Sequence, residues 1–412
     1  MARPAGKSVA LWVLRRLRDA GFEALFAGGC VRDMLLRKPC ADYDVATNAT
    51  PQQVKKLFDH VLLVGAKFGV AMVIHRRTKV EVTTFRSDIS YSDGRRPDQV
   101  VYTTAREDAL RRDFTINGMF YDPIARQVID YVGGKADLKA RLIRTIGDPA
   151  QRFAEDYLRM LRAVRFGVRL GFAIDPATAA AVKELAPNIA SISGERVLEE
   201  LSKMLTHPRA PQAMELLREL GLAQAILPEL FARQGWDAAM QRVARVASRR
   251  DLVTALGALL GQLSAGEISQ IIRRWGGSNQ LRKSLGWLAE HLGHWQQATD
   301  MPLNQFKRLL ANKDYDRLAA LWSAQEHANT GRSTKARKIA RRKASIPAGL
   351  IAPKPFVSGE DLLRLGLRQG PALGRILKDL YNAQLNEQIA TRAGAIRLAR
   401  QLISQARPAA RP

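Results

Sequence analysis

The chain has 412 residues, 46% of them hydrophobic, and 65 Lys and Arg stand against 39 Asp and Glu, a formal net charge of +26. That length exceeds what one core usually serves, so two or more domains are expected, and no apolar run is long enough to span a bilayer. The charge calls for a polyanionic partner, although its sign alone does not choose among RNA, DNA and membrane. Only two cysteines occur, Cys30 and Cys40; nothing calls for a disulfide or a zinc site, and a reducing cytoplasm is the expected compartment.

Taken in chain order, apolar residues Val9, Trp12, Val13 and Leu17 recur at helical spacing among arginines, which reads as an amphipathic helix over 8–20 rather than a signal peptide. Gly21 ends it. Ala24–Ala27 reads as a buried strand, and Gly28-Gly29 as a tight turn that allows close backbone approach to a ligand. Val31 to Leu36 then form a helical turn whose N–H groups would point at an anion. In the extended segment that follows, Asp42 and Asp44 lie two apart and face one side. Such a pair is costly unless a cation neutralises it, and Mg²⁺ at phosphates is the commonest reason to build one. Alone, the glycine pair is as well read as a plain turn and the acids as a solvated loop edge.

Thr50-Pro51 opens a helix running to Phe58, with an N-cap and Pro at the first helical position. Strands are expected at Val61–Val64, Val70–His75 and Val80–Phe85. In the last of these Glu81 sits among β-branched residues, either on an exposed face or as an acid costly to bury. Ser87–Asp98 is a polar loop, a cover for substrate or a solvated turn. A helix beyond it would align Asp108 with Arg111 and Arg112 as an ion-pair network. Ile129–Gly134 and Leu142–Gly147 look like closing strands. From Gln151, one periodic helix would carry Glu155, Asp156, Arg159, Arg162 and Arg165 along a drifting face; a solvated stripe is the plain reading.

From Pro176 the composition is helical, with helices at 176–186, 194–205, 209–220 and several between 236 and 325. Five tryptophans there, Trp236, Trp275, Trp287, Trp295 and Trp322, read as core anchors. Residues 331–343 are dense in Lys and Arg and run into prolines, as a phosphate-tracking linker or a disordered one would. Leu377, Leu380, Leu385 and Ile389 supply an apolar face to the final segment.

The order GGCVRDMLL (28–36), then DYDVAT (42–47), resembles the signature of the polymerase β-like nucleotidyltransferase superfamily. It is most similar to class II tRNA nucleotidyltransferases (CCA-adding enzymes) and bacterial poly(A) polymerases. RRDFTINGM (111–119) resembles the family's RRDFTxNAM, except that Gly118 stands where Ala is usual. The resemblance implies an α+β chain: a nucleotidyltransferase sheet head (1–148), a helical neck with the base-recognition helix (149–210), a helical body (211–330), a basic linker (331–356) and a tRNA-binding tail (357–412). It implies Asp42, Asp44 and Glu81 as a catalytic triad, with Mg²⁺ on Asp42 and Asp44, and nucleotide contacts from Gly28, Gly29, Arg32 and Arg112. Asp156 and Arg159 would read the Watson–Crick edge of the base, with Arg162 and Arg165 at the triphosphate. A carboxylate accepts from the exocyclic amine that C and A share, and a guanidinium donates to ring nitrogen or carbonyl.

The implied reaction is addition of C, C and A to the tRNA 3′ end from CTP and ATP, with release of pyrophosphate. Poly(A) addition, and an RNA-binding protein without catalysis, are the alternatives. The motif around Glu195, Arg196 and Glu199 also recurs in the family, either buttressing the pocket or forming a surface cluster. No His-Asp pair of phosphohydrolase type occurs.

Overall fold

A computed structural model of the protein describes residues 5–40, 42–63, 68–89 and 99–406. Residues 64–67 and 90–98, which hold most of the polar loop expected at 87–98, lie outside the described residues. The chain divides into two compact units, one of residues 1–234 with 274–276 and the other of 235–273 with 277–412.

The first unit is built on a seven-stranded sheet. Its strands are β1 (Ala24–Ala27), β2 (Asp44–Thr47), β3 (Val61–Leu62), β4 (Val70–His75), β5 (Thr78–Thr84), β8 (Phe120–Asp122) and β9 (Gln127–Ile129), in the order β3-β4-β5-β2-β1-β8-β9. A separate hairpin pairs β6 (Arg86–Ile89) with β7 (Gln99–Tyr102), so the start of the expected loop is strand. All neighbours in the large sheet are antiparallel except β2 and β5. Helix α1 (Ala5–Asp19) buries Val9, Val13, Leu14 and Leu17 in the same core as Phe26, Val45, Val80 and Val82. That is the stripe the helical period requires. β5 alternates, with Val80 and Val82 inward and Glu81 on the open face.

Short helices link the strands: α2 (Gly29–Leu35), α3 (Pro51–Leu57), α4 (Ala105–Leu110) and α5 (Gly134–Ala140). Thr50 caps α3 in a capping box with Gln53, and Thr104 does the same for α4 with Glu107, each satisfying backbone N–H groups that would otherwise lack partners. The expected closing strand at 142–147 does not join this sheet. β10 (Leu142–Ile143) pairs in parallel with β11 (Ala173–Ile174), and Ile143 shares the core that also holds Phe166, Leu170 and Phe172.

The single helix expected from Gln151 is two. α6 (Pro149–Glu155) stops at Asp156, whose φ of −159° and ψ of 100° are extended, and α7 (Leu158–Leu170) restarts behind it. α8 (Pro176–Leu185) and α9 (Gly194–Leu205) follow.

The second unit is all-helical. Trp322 is 1% exposed and donates its indole N–H to the carbonyl of His291; Trp295 is buried and Trp287 half-buried. Trp236 is likewise buried, as is Trp275 in the first unit. Val357, Leu362, Ile376, Leu380, Ala395, Ala399 and Ile403 form a separate core near the C-terminus. The stretch read as a linker contains an ordered helix, Thr334–Ala344. Ile339 is buried there, and Arg342 donates to the carbonyls of Ala298, Thr299 and Met301 with its guanidinium over Phe306. No helix among the described residues is long and apolar enough to cross a membrane.

Candidate active site

A cavity of about 500 Å³ opens in the first unit, lined from the sheet side by Gly28, Gly29, Asp44 and Glu81 and from the helical side by Asp156, Arg159 and Arg162. Sheet topology makes the acidic floor. Parallel pairing sets Val45 beside Val82, so Asp44 and Glu81, one residue back on each strand, stand abreast although 37 positions separate them. Gly28 lies at φ 70°, and a Cβ there would come within 2.9 Å of Arg112 Nη1. Glycine therefore permits both the turn and the approach of that guanidinium.

Burial pushes the Asp44 carboxyl up to about 6, with Glu81 and then Asp42 adding in the same direction while Arg112 opposes. Asp42 is exposed, just ahead of β2, and is not part of the cavity wall. Among the described residues, no three His, Cys, Asp or Glu side chains gather closely enough to hold a metal ion; the three acids at 42, 44 and 81 are a charge cluster rather than a closed three-ligand cage. The donor set still fits a hard divalent cation. Crowded carboxylates with one countering arginine are relieved by it, and Mg²⁺ takes one or two protein carboxylates with phosphate oxygens and water completing its shell.

The arginines are held by acids. Arg112 donates to Asp108 Oδ2 at 2.8 and 3.1 Å and to the Asn117 carbonyl at 3.2 Å. Arg111 shares the same carboxylate at 2.7 Å, so the ion-pair network expected around Asp108 is present. Burial alone would raise the Asp108 carboxyl; Arg112 and then Arg111 hold it below the usual range. Arg32, 4% exposed, donates Nη1 to Asn117 Oδ1 at 2.7 Å. Asn117 in turn donates to Asp113, which accepts from Arg162 at 2.6 and 2.8 Å. Burial opposes ionisation of Asp113, yet Arg162 and the Asn117 hydrogen bond bring it down to about 2. A continuous polar chain thus ties α2 to α7 through Asn117 and Asp113.

Asp156 sits at the break between α6 and α7 and is gripped by Arg196 of α9 through two bonds, 2.7 and 3.1 Å. Arg159 is 8% exposed and donates to Glu155 and to the Arg152 carbonyl. These are not solvated charges, as the stripe reading would have them. Arg165 differs from its expectation: it is absent from the cavity wall, paired with buried Glu200 at 2.6 Å and stacked over Phe166 at 4.2 Å. The helical period turns it behind the face that carries Arg159 and Arg162. Phe166 lines the cavity and also lies under Arg32 and Arg162.

Asp113, Asn117, Phe166 and Arg86 line the wall without being expected there from sequence, as does Arg111, expected only as a partner of Asp108. Asp113 and Asn117 stand four apart inside the RRDFTIN motif, a signal that was legible; Arg86 follows the Glu81 strand with no local mark. Arg196 joins the wall, whereas Glu195 and Glu199 are exposed and the latter pairs with Lys203. Gly118 also finds its reason. A Cβ there would meet Val132 Cγ2 at 2.7 Å and Ile146 Cδ1 at 2.9 Å, so two branched side chains fill the space an alanine would use.

Residues 24–144 match the family described as "Poly A polymerase head domain", and residues 171–233 that described as "Probable RNA and SrmB- binding site of polymerase A". A CCA-adding enzyme of Geobacillus stearothermophilus is 35% identical over 391 residues, covering 92% of this chain and 93% of its own. A crystal structure of the Bacillus stearothermophilus CCA-adding enzyme in complex with CTP superposes with a TM-score of 0.79 at 31% identity, over 98% of this chain and all of that one. The Thermotoga maritima CCA-adding enzyme complexed with tRNA shares the fold, with a TM-score of 0.68 at 18% identity, over 97% of this chain and 95% of that one.

Proposed function

The chain belongs to the family of CCA-adding enzymes, and on that premise we propose how its own residues carry out nucleotidyl transfer to the tRNA 3′ end. The reaction adds C, C and A from CTP and ATP and releases pyrophosphate. One observation carries the reading: a single cavity gathers the glycine turn, the acids of β2 and β5 and the charged start of α7.

Members of this family use a divalent metal. Here Asp42 and Asp44, with Glu81 beside them, would hold Mg²⁺, which offsets triphosphate charge and makes the attacking 3′-hydroxyl more acidic. The Gly28-Gly29 turn admits the phosphates close to the backbone, and Arg32, Arg112 and Arg162 supply positive charge around them. Asp156 accepts from the exocyclic amine and Arg159 donates to the neighbouring ring position. UTP and GTP present the wrong donors and acceptors to those two groups, at about 1–3 kcal/mol each. Within this reading the chain runs as head, neck, body and tail with boundaries after 148, 210 and 356, and the stretch 331–356 joins body to tail. Its place of action is the reducing cytoplasm, in accord with free thiols at Cys30 and Cys40.

The test supplies tRNA ending just before CCA together with each NTP, and sequences the products. C, C, A from CTP and ATP, and nothing from UTP or GTP, is expected. Long A tails would replace this reading with poly(A) synthesis. Asp44→Ala should abolish incorporation while tRNA binding persists; normal incorporation by that variant would remove Asp44 from the site.

A further inference from the structure

The reverse of the catalytic sheet carries a basic surface that the reaction does not use. Side-chain alternation sets its place. In β5, Val80 and Val82 point into the core shared with α1, while Glu81 faces the open side. Across the ladder Val73 pairs with Val80 and His75 with Thr78, so His75 stands on the α1 side, away from Asp44 and Glu81. There it stacks on Trp12 of α1, with ring centroids 4.0 Å apart and planes 17° from parallel. Trp12 also meets Phe58 edge-on at 5.5 Å. Arg16 lies over both rings and donates Nε to the Leu57 carbonyl at 2.9 Å. One aromatic stack thus joins α1, the end of α3 and the β4–β5 turn.

Around that stack the charge is of one sign. Arg16 projects from α1, Lys55 and Lys56 from the last turn of α3, and Arg76, Arg77 and Lys79 from the hairpin, all of them exposed. None of these cations has a carboxylate partner among the described residues. The acids at the ends of α1 and α3, Asp19 and Asp59, are exposed as well and pair with none of them. On the catalytic face the opposite holds, for Arg32, Arg112 and Arg162 are each held by an acid. Arg76 and Arg77 make up a two-residue turn, at φ 48° and 61°. A left-handed turn of that kind is ordinarily built with Asn-Gly; here two arginines adopt it against their steric preference and stand at its tip.

We propose that this surface, through Arg16, Arg76, Arg77 and Lys79, binds the phosphodiester backbone of a second RNA while the first is extended in the cavity. Unpaired cations on a helix, a turn and a strand suit successive phosphates, whose neutralisation releases counterions. The Trp12 ring is engaged by His75, Phe58 and Arg16, so the surface offers charge rather than a platform for stacking bases. An acidic protein segment would want a recess for an apolar anchor, and the closed stack gives none. The strand being extended ends at Asp44 and Glu81, on the other face of the sheet, which makes the ligand here a separate molecule. Calling it the second RNA rests on the tRNA-extension reading; its binding does not.

The experiment compares the hairpin variant Arg76→Gln/Arg77→Gln/Lys79→Gln with a charge-matched control, Arg126→Gln/Lys135→Gln/Lys139→Gln, whose residues are exposed on the β8–β9 turn and α5. Anisotropy of a labelled RNA duplex of about 16 base pairs is read across salt concentrations, with each chain already saturated with unlabelled tRNA lacking CCA. The unaltered chain should bind the duplex without releasing tRNA. The hairpin variant should weaken duplex Kd about tenfold or more at ~0.15 M salt, and lower the slope of log K against log salt by about 2, from ~0.7–0.9 per lost phosphate contact. The control should stay within about twofold, for no phosphate contact is removed. Both variants should keep the parent's tRNA Kd and rate of CTP incorporation, which also shows that they fold. Displacement of the duplex by tRNA, equal weakening in both variants, or an unchanged duplex Kd in the hairpin variant would overturn the proposal. So would hairpin-dependent binding to phosphatidylserine vesicles by a chain that binds no duplex. Failure to extend tRNA would count instead against the reaction assigned to the cavity, and duplex binding would still decide this surface.

Discussion

At the scale of the residue, the informative groups are those held against their solution preference. Asp44 is such a group, its carboxyl raised to about 6 by burial and then by Glu81 and Asp42. The sign follows directly. A carboxyl whose folded pKa lies above its unfolded value takes stability away as pH rises from about 4 through 6, and the deficit stays constant above that. Asp44→Asn should therefore stabilise the metal-free protein at pH 7 by about 3 kcal/mol at most, seen as a higher Tm, while nucleotide incorporation is lost. The gain should vanish below pH 4, where Asp44 of the unaltered chain is protonated too. A variant less stable than the parent at pH 7 would show that the crowding is relieved some other way. Asp113 runs oppositely: lowered to about 2 by Arg162 and Asn117, it contributes stability above the ordinary carboxylate range that disappears as pH falls towards 2.

At the scale of the element, the break between α6 and α7 is the decisive local event. An unbroken helix would have pointed Asp156 along the stripe with Arg159 and Arg162. Its extended backbone instead directs the carboxylate to Arg196, a residue 40 positions away on α9. If Asp156 reads the base as proposed, Arg196 positions it without itself belonging to α7. Arg196→Ala should loosen discrimination of CTP and ATP against UTP by about 10-fold or more, in line with loss of one charged hydrogen bond. Overall folding and Mg²⁺ dependence should remain; steady-state incorporation with each NTP reads the outcome, and unchanged discrimination would leave Asp156 independent of its clamp. α9 itself approaches its neighbours through Gly194, where a Cβ would stand 1.9 Å from the Arg274 carbonyl. Any larger residue there would displace the helix that carries Arg196.

At the scale of the whole molecule, a net charge of +26 sets the physics of substrate capture. If six or more phosphates are neutralised, tRNA affinity should fall about a thousandfold between 50 and 200 mM salt, whereas KM for CTP should change far less, because Arg32, Arg112, Arg159 and Arg162 in the cavity are already paired to acids. Titration of both across salt checks this, and parallel salt dependence would show that pairing to acids does not shield the cavity.

Much of this protein was legible in one dimension. The strand and glycine turn of 24–29 declare themselves within a few residues, since a short apolar run and a left-handed glycine are local matters. The capping box at Thr50 and the Asp108–Arg112 pairing are local for the same reason. What three dimensions decided are relations between distant segments. The parallel register of β2 and β5 sets Glu81 against Asp44. Packing with Phe166 and Glu200 keeps Arg165 off the cavity wall where the family resemblance had implied it. Thr334–Ala344 is a docked helix although its composition reads as a solvated charge run, because one buried Ile339 and the carbonyls offered to Arg342 outweigh the repulsion of its neighbours. A side chain's type fixes what it can bond, but only the fold determines which partner arrives.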